Sequence, residues 1–191
     1  MDLKRITPTK LLWIDLEMTG LNPAVDRIVE VAAIITDWQF KEFDSLETSV
    51  AQNVEEADRL MRGPLFRARP ELKKQLLNCA ETGIPETEAE KKLLALINKH
   101  YGDGPALLAG NSIHTDRQFI RQWWPQFESR LHYRMLDVSA WKVVMIGRFG
   151  MEYKKKENHR ALADIRESIA ELEYYLRELP NLVEMKGDEA T

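Results

Sequence analysis

The chain has 191 residues and a mass of 22.2 kDa, the size of one ordinary domain. Hydrophobic residues make up 44% of it, enough for a sizeable core, so a wholly disordered chain is excluded. With 27 Lys and Arg against 31 Asp and Glu, its net charge of −4 excludes a general polyanion binder, and we expect any contact with nucleic acid to be local and assisted by metal.

The cysteine content and the apolar runs bear on the compartment. The single cysteine, Cys79, excludes an internal disulfide and fits a reducing compartment. Residues 1–10 lack the apolar stretch of a signal peptide, and apolar runs such as 31–35 are far too short to span a membrane. We therefore expect a soluble cytoplasmic protein that makes no membrane contact.

The first third of the chain predicts β-structure. A short apolar run is followed by a turn with Asn22–Pro23, then by a segment rich in Ile and Val, and then by a hairpin turn. The three strands are predicted at residues 10–16, 28–36 and 46–50.

From residue 54 onwards, helices alternate with short strands. Helices are predicted at 55–61, 71–79, 85–101, 115–123, 139–148 and 161–179, and strands at 106–109 and 135–138. The last helix has the clearest apolar stripe, and Pro180 is predicted to end it. This order indicates one α/β domain over residues 1–180, with a mixed central sheet flanked by helices, and a polar, flexible tail at 181–191.

Two acidic residues end the first predicted strand. Asp15 and Glu17 are separated by Leu16, so alternation places both carboxylates on one side of the strand. Converging carboxylates repel each other, and their oxygens suit Mg²⁺ or Mn²⁺. The ordinary alternative is two solvated acids at a strand end. On the spacing of Asp15 and Glu17 alone, this alternative is favoured over a metal site.

Three further candidates stand later in the chain. Asp116 lies near a helix N-terminus, where an Asp is usually a cap or dipole residue. Asp164 falls on the last predicted helix, where a surface acid is the ordinary alternative. His159 precedes Asp164 by five residues and suits a general base beside carboxylates and metal ions, although a solvated loop histidine is the default.

The combination of these residues resembles a known family. Asp15, Glu17, Asp116, His159 and Asp164 stand in the order of the DEDDh 3′→5′ exonucleases of the RNase H-like superfamily. The stretches that resemble oligoribonucleases in particular are WIDLEMTGL (13–21), DRIVEVA (26–32), GNSI with DR (110–117), HYRMLDVS (132–139) and DIRES (164–168). The resemblance extends from about residue 11 to residue 177 and implies an RNase H-like exonuclease fold.

The resemblance also implies an activity. Such enzymes release nucleoside 5′-monophosphates from the 3′ end of short single-stranded oligonucleotides or dinucleotides, and they form homodimers. Two divalent cations, Mg²⁺ or Mn²⁺, would be held by the four carboxylates, and His159 would accept the proton of the attacking water. The four implied metal ligands are Asp15, Glu17, Asp116 and Asp164.

Substrate contacts are implied in the same way. Leu21 matches a leucine that wedges between bases, and Tyr133 matches a residue donated by the other subunit of a dimer. Ser112, Arg134 and Ser139 match residues around the 5′ phosphate. Arg134 suits that role chemically, because a guanidinium can bind a terminal phosphate through two hydrogen bonds.

One segment departs from the family pattern. Oligoribonucleases carry a tryptophan that stacks on a base after a Leu-Met pair, and a histidine five residues later; here Leu60–Met61 is followed by neither. Phe66 either replaces the stacking ring or is a core residue, and Arg67 or Arg69 either replaces the phosphate contact or lies on a solvated face.

This departure leaves alternatives open. A DNA-directed exonuclease, or one that prefers deoxy-dinucleotides, stands beside the first prediction, because nothing in the sequence reports on a 2′-OH contact. A catalytically silent nucleic-acid-binding module is disfavoured, because such modules lose carboxylates and this chain retains all four together with His159.

Overall fold

The computed structural model describes residues 9–154 and 160–188, with side chains as far as residue 179. His159, the predicted general base, lies outside these ranges. None of the helices described there combines the length and the apolar character needed to cross a membrane.

The described residues form five strands and eight helices. The strands are β1 (Leu11–Met18), β2 (Ile28–Thr36), β3 (Glu42–Ser49), β4 (Ala106–Gly110) and β5 (Leu131–Asp137). The helices are α1 (Val54–Leu60), α2 (Pro64–Ala68), α3 (Pro70–Thr82), α4 (Glu86–Tyr101), α5 (Ile113–Trp123), α6 (Pro125–Glu128), α7 (Val138–Phe149) and α8 (Ala161–Asp188).

The strands build one mixed sheet in the order β3-β2-β1-β4-β5, which confirms the predicted α/β class. β1 pairs antiparallel with β2, and β2 antiparallel with β3, whereas β4 lies parallel to β1 and β5 parallel to β4. The carboxyl ends of β1, β4 and β5 therefore meet at one edge of the sheet, where ligand sites of open α/β sheets lie.

β1 alternates between two packed layers. Its even-numbered side chains belong to the core shared with α4, α5 and α6, whereas Leu11 and Trp13 pack in the second core with Ile165 of α8. Asp15 and Glu17 continue the second set along the strand. The alternation that buries the first half of β1 thus directs the acidic second half toward the α8 side.

Two differences from the predicted elements concern proline. α8 continues through Pro180 to Asp188, so the prediction that Pro180 ends the helix is wrong. A proline removes its own N–H bond, and the residues after it can resume the helical pattern. Pro64 begins α2, a short helix that was not predicted and that lies between the predicted helices at 55–61 and 71–79, and its missing N–H costs nothing in this first turn.

Two strands begin earlier than predicted. β3 starts at Glu42 and β5 at Leu131, four residues before each predicted start at 46 and 135. Both are edge strands of the sheet with several exposed side chains, so they lack the apolar run that marks the inner strands.

Candidate active site

Three carboxylates converge at the carboxyl end of β1. Asp15, Glu17 and Asp164 each offer one oxygen, and these oxygens all lie within 4.8 Å of one another. Asp164 belongs to the first turn of α8, and its N–H donates to the carbonyl oxygen of Arg160 at 2.9 Å. The structure therefore brings together three of the four predicted metal ligands.

Asp116 reaches the same place from the opposite layer. It lies on α5, is buried, and its Oδ1 accepts a hydrogen bond from the backbone N–H of Leu16 at 3.0 Å. Leu16 is the residue between the two acids of β1, so Asp116 is fixed directly beside them. β4 ends at Gly110, where a Cβ would lie 2.8 Å from the carbonyl oxygen of Ile14, so only glycine allows this approach to β1.

The electrostatics of the site disfavour negative charge. Burial raises the pKa of Glu17 to about 7, and the charges of Glu30 and Asp164 add to this effect. Burial also raises the pKa of Asp116 to about 7, against the lowering effect of the Leu16 N–H. Carboxylates that repel each other in a buried place are stabilised by a cation.

The donor set fits a hard divalent cation. All of its ligand atoms are carboxylate oxygens, as Mg²⁺ and Mn²⁺ prefer, and one oxygen from each of the three residues lies within 4.8 Å of the others. Asp15, Glu17 and Asp164 would hold such an ion.

The stability of the metal-free protein is expected to fall as the pH rises from about 5 to about 8. In the folded chain the pKa of Glu17 and of Asp116 is about 7, above the ordinary values of 4.5 and 3.8. Between these values the folded chain binds more protons than the unfolded chain, so raising the pH removes stability. Mg²⁺ should offset this loss, increasingly at higher pH, because it binds the deprotonated carboxylates.

Thermal denaturation in EDTA and in Mg²⁺, at a series of pH values from 5 to 8, measures both effects. A Tm in EDTA that rises across this window contradicts the pKa shifts, and equal Mg²⁺ stabilisation at each end contradicts the binding of cations by these acids.

Glu30 is an acidic neighbour that sequence reasoning missed. It pairs with Glu17 across β1 and β2 and is only 2% exposed. Its Oε2 accepts from the Cys79 thiol at 3.6 Å, and Arg160 Nε lies 3.8 Å from its Oε1. Arg160 also contacts Glu47 at 3.7 Å and so links β2 and β3 to the start of α8. The signal in the sequence that could have identified Glu30 is its place as the only acidic residue in the otherwise apolar predicted strand at 28–36.

Ser112 and Ser139 meet where β4 and β5 end. Their hydroxyl oxygens are 3.0 Å apart, and the Ser112 N–H donates to Ser139 Oγ at 2.9 Å and to Asp137 Oδ1 at 3.0 Å. Asp137 is the N-cap of α7, and its side chain accepts from the Ser139 N–H. Both serines therefore lie at the edge of the sheet that carries the carboxylates.

Leu21, Tyr133 and Arg134 are on the surface. Leu21, in the loop after β1, is 77% exposed. Tyr133 and Arg134 lie on the edge strand β5, with the guanidinium 5.2 Å from the centre of the tyrosine ring. Arg117 supports this strand by donating to the carbonyl oxygen of Tyr133 at 3.2 Å. Tyr133 and Arg134 are thus presented outward from β5.

Phe66 is placed differently from the other predicted substrate contacts. It is 6% exposed and packs in a separate apolar cluster that includes Val29, Met61 and Leu76. This position supports the core alternative for Phe66 rather than a ring offered to a base.

Comparison with known proteins gives the family. The RNase_T exonuclease family matches residues 12–172. The oligoribonuclease of Tropheryma whipplei is 41% identical over 174 residues, which cover 88% of this chain and 92% of the relative. The oligoribonuclease of Arabidopsis thaliana is 40% identical over 171 residues, which cover 86% of this chain and 76% of the relative. The chain belongs to the oligoribonuclease family of exonucleases. The family suggested by the sequence motifs is confirmed.

Solved structures show that this oligoribonuclease-family chain has an exonuclease fold. Exonuclease I from Methylocaldum szegediense matches with a TM-score of 0.64 and 21% identity, over 91% of this chain and 41% of that one. A complex of E. coli ExoI with single-stranded DNA matches with a TM-score of 0.65 and 15% identity, over 93% of this chain and 42% of that one. At these identities the likeness shows the fold alone, and it confirms the RNase H-like prediction.

Proposed function

We propose that this exonuclease acts on short oligoribonucleotides from the 3′ end and releases nucleoside 5′-monophosphates in the cytoplasm. The observation that carries the proposal is the convergence of Asp15, Glu17 and Asp164, with Asp116 fixed beside them, in a chain similar to oligoribonucleases. The lone buried cysteine, Cys79, fits a reducing compartment.

The chemistry follows from the arrangement of the acids. Two Mg²⁺ or Mn²⁺ ions, when bound, would supply an activated water and neutralise charge on the phosphate. The chain contributes their ligands from β1, α5 and α8: Asp15, Glu17, Asp116 and Asp164. The water oxygen attacks phosphorus and its proton passes to His159, while the bond from phosphorus to the 3′ oxygen breaks and this oxygen leaves as a hydroxyl after taking a proton from solvent.

The substrate contacts support a short substrate. Ser112 and Ser139 offer paired hydroxyl groups at the sheet edge, and Arg134 offers an exposed guanidinium on the next strand. In the proposal these three groups bind the 5′ phosphate, and the exposed Leu21 packs against the bases. Because Phe66 is buried, the family's stacking ring has no replacement at that position.

A length and sugar series tests the proposal. RNA and DNA of two, three, five and twenty nucleotides, labelled at the 5′ end, are incubated with Mg²⁺ or Mn²⁺. We expect the RNA two-mer to be cleaved fastest. Faster cleavage of the DNA two-mer would favour the deoxy-dinucleotide alternative, and equal rates at all lengths would indicate a general exonuclease. Absence of any cleavage that depends on Asp164 overturns the enzymatic proposal.

We also propose a homodimer formed through β5 and α7. β5 is an edge strand, and α7, which follows it directly in the chain, exposes Val143, Val144 and Ile146, with Val143 71% exposed. An open strand edge and an exposed apolar helix face are the kinds of surface that a second chain covers. The position of Tyr133 on β5 agrees with a residue offered to the partner's site.

The Val143→Asp variant is expected to sediment as a monomer and to lose most activity on the two-mer, because a charge in this apolar face opposes association. Val54→Asp, another exposed valine, on α1, is the control and should sediment as the wild type does. A dimer that persists in Val143→Asp would place the interface elsewhere.

A further inference from the structure

A buried network holds the loop between β1 and β2. Asp26 is 7% exposed, and its two carboxylate oxygens accept from the Thr19 hydroxyl at 3.1 Å and from the Asn22 N–H at 2.9 Å. The Thr19 hydroxyl oxygen in turn accepts from the Arg27 N–H at 2.9 Å. Backbone bonds from Thr19 to Arg27 and from Asp26 to Asn22, at 2.9 and 2.8 Å, close the loop at both ends.

Gly20 shows how closely the loop wraps around this carboxylate. A Cβ on Gly20 would lie 2.4 Å from Asp26 Oδ2 and 2.6 Å from Asp26 Oδ1, far inside any normal contact. The backbone directly before Leu21 therefore rests on the Asp26 side chain. Directly after Leu21, the Asn22 N–H is bound by the same side chain.

The network is also tied to the helix that carries Asp116. The indole N–H of Trp123, the last residue of α5, donates to the Asp26 carbonyl oxygen at 3.1 Å. The Arg27 guanidinium lies 3.8 Å from the centre of the Trp123 ring. The loop is thus fixed relative to β1 and to α5, the two elements that supply three of the four predicted metal ligands.

The residue at the centre of this fixed loop is the exposed one. Leu21 is 77% exposed, although both of its neighbours in sequence contact the buried Asp26 carboxylate. A leucine that is 77% exposed contributes little to the core, so its side chain is available to a contact from outside the chain. A fixed contact residue loses less conformational entropy on binding than one in a free loop.

We propose that Asp26 and Thr19 are positioning residues that hold Leu21 in place to receive the bases of the substrate. The inference rests on the proposed function, in which Leu21 packs against those bases. Asp26 and Thr19 are buried, so in this proposal they act through Leu21 and not by contact with the substrate. Their loss should therefore weaken substrate binding and leave the chemical step nearly unchanged.

A double-mutant cycle tests the proposal on the RNA two-mer with Mg²⁺. Asp26→Ala and Thr19→Val should each raise KM about five- to tenfold, with kcat changed by less than about twofold. Leu21→Ala alone should raise KM by a similar factor. Adding Asp26→Ala or Thr19→Val to Leu21→Ala should raise KM by less than about twofold more, because residues that act through one another are not additive.

The matched control is Asp37→Ala. Asp37 Oδ1 accepts from the N–H groups of Gln39 and Lys41 in the turn between β2 and β3, so it organises a loop in a similar way. Its KM and kcat should stay at wild-type values. Thr19→Val replaces the hydroxyl with a methyl group of similar size, so it keeps the test valid if Asp26→Ala does not fold.

The outcomes are distinct. The positioning role is overturned if Thr19→Val raises KM by the same factor with and without Leu21→Ala. It is also overturned if Thr19→Val lowers kcat and leaves KM unchanged. In both cases the enzyme remains an exonuclease. A wild-type chain without Asp164-dependent hydrolysis of the two-mer overturns the proposed function and this inference with it.

Discussion

Replacement of Asp164 with Asn is expected to reduce hydrolysis of the RNA two-mer on the order of a thousandfold while the fold survives. Asp164 is one of three residues whose oxygens lie within 4.8 Å of one another, so its loss removes a ligand from the centre of the proposed metal site. The rate under saturating substrate and Mg²⁺ is the quantity to measure.

The same variant has an opposite effect on stability. The charge of Asp164 contributes to the raised pKa of Glu17, so Asp164→Asn should relieve repulsion and raise the Tm of the metal-free protein. The stabilisation by Mg²⁺ should shrink at the same time. Glu173→Gln, an exposed acid on the same helix, is the control for both measurements. A variant with near-wild-type rate and unchanged Mg²⁺ stabilisation would remove Asp164 from the site.

Replacement of His159 with Ala is expected to lower the single-turnover rate about a hundredfold to ten-thousandfold, the range typical for loss of a general base. The prediction comes from the sequence order of His159 and Asp164 and from their family resemblance. A base differs from a metal ligand in one measurable respect: the Mg²⁺-dependent rise in Tm should stay at its wild-type value in His159→Ala.

His100→Ala is the matched histidine control. His100 lies on α4, and its Nε2 is 2.9 Å from Oδ2 of Asp44 on β3. This pair does not belong to the acidic cluster of the site, so the loss of His100 should leave the rate unchanged. Loss of the Mg²⁺ effect in His159→Ala would identify a metal ligand instead of a base, and an unchanged rate would require another proton acceptor.

Much of the fold, and the shared side of the two acids on β1, could be predicted because these features depend on local pattern. β2 was predicted with its observed bounds because a buried strand needs a continuous apolar run. Asp15 and Glu17 lie on one side of β1 because side chains alternate along a strand, and this alternation does not depend on what packs against the strand. The family resemblance then added Asp164 and Asp116, whose closeness to β1 depends on helix packing that no local pattern expresses.

The remaining features depend on contacts between distant segments. Glu30 reaches Glu17 only through the register of β1 with β2, and Asp26 frames Leu21 only because the loop folds back on itself. Phe66 could not be assigned to core or surface, because its burial depends on how α1, α2 and α3 pack. The starts of the edge strands β3 and β5 were predicted four residues late for a related reason: a strand exposed to solvent does not need apolar residues.

The placement of the acids on the first strand and the last helix has a topological consequence. β1 is the central strand and is bonded on both sides, so it belongs to the part of the fold that opens last, whereas the first turn of a helix separates more readily. A cation held by Asp15 and Asp164 would bridge nearly the full length of the domain's sequence, like a reversible cross-link. Detachment of the first turn of α8 from the sheet then requires release of the ion, so a bound cation should protect that turn against proteases.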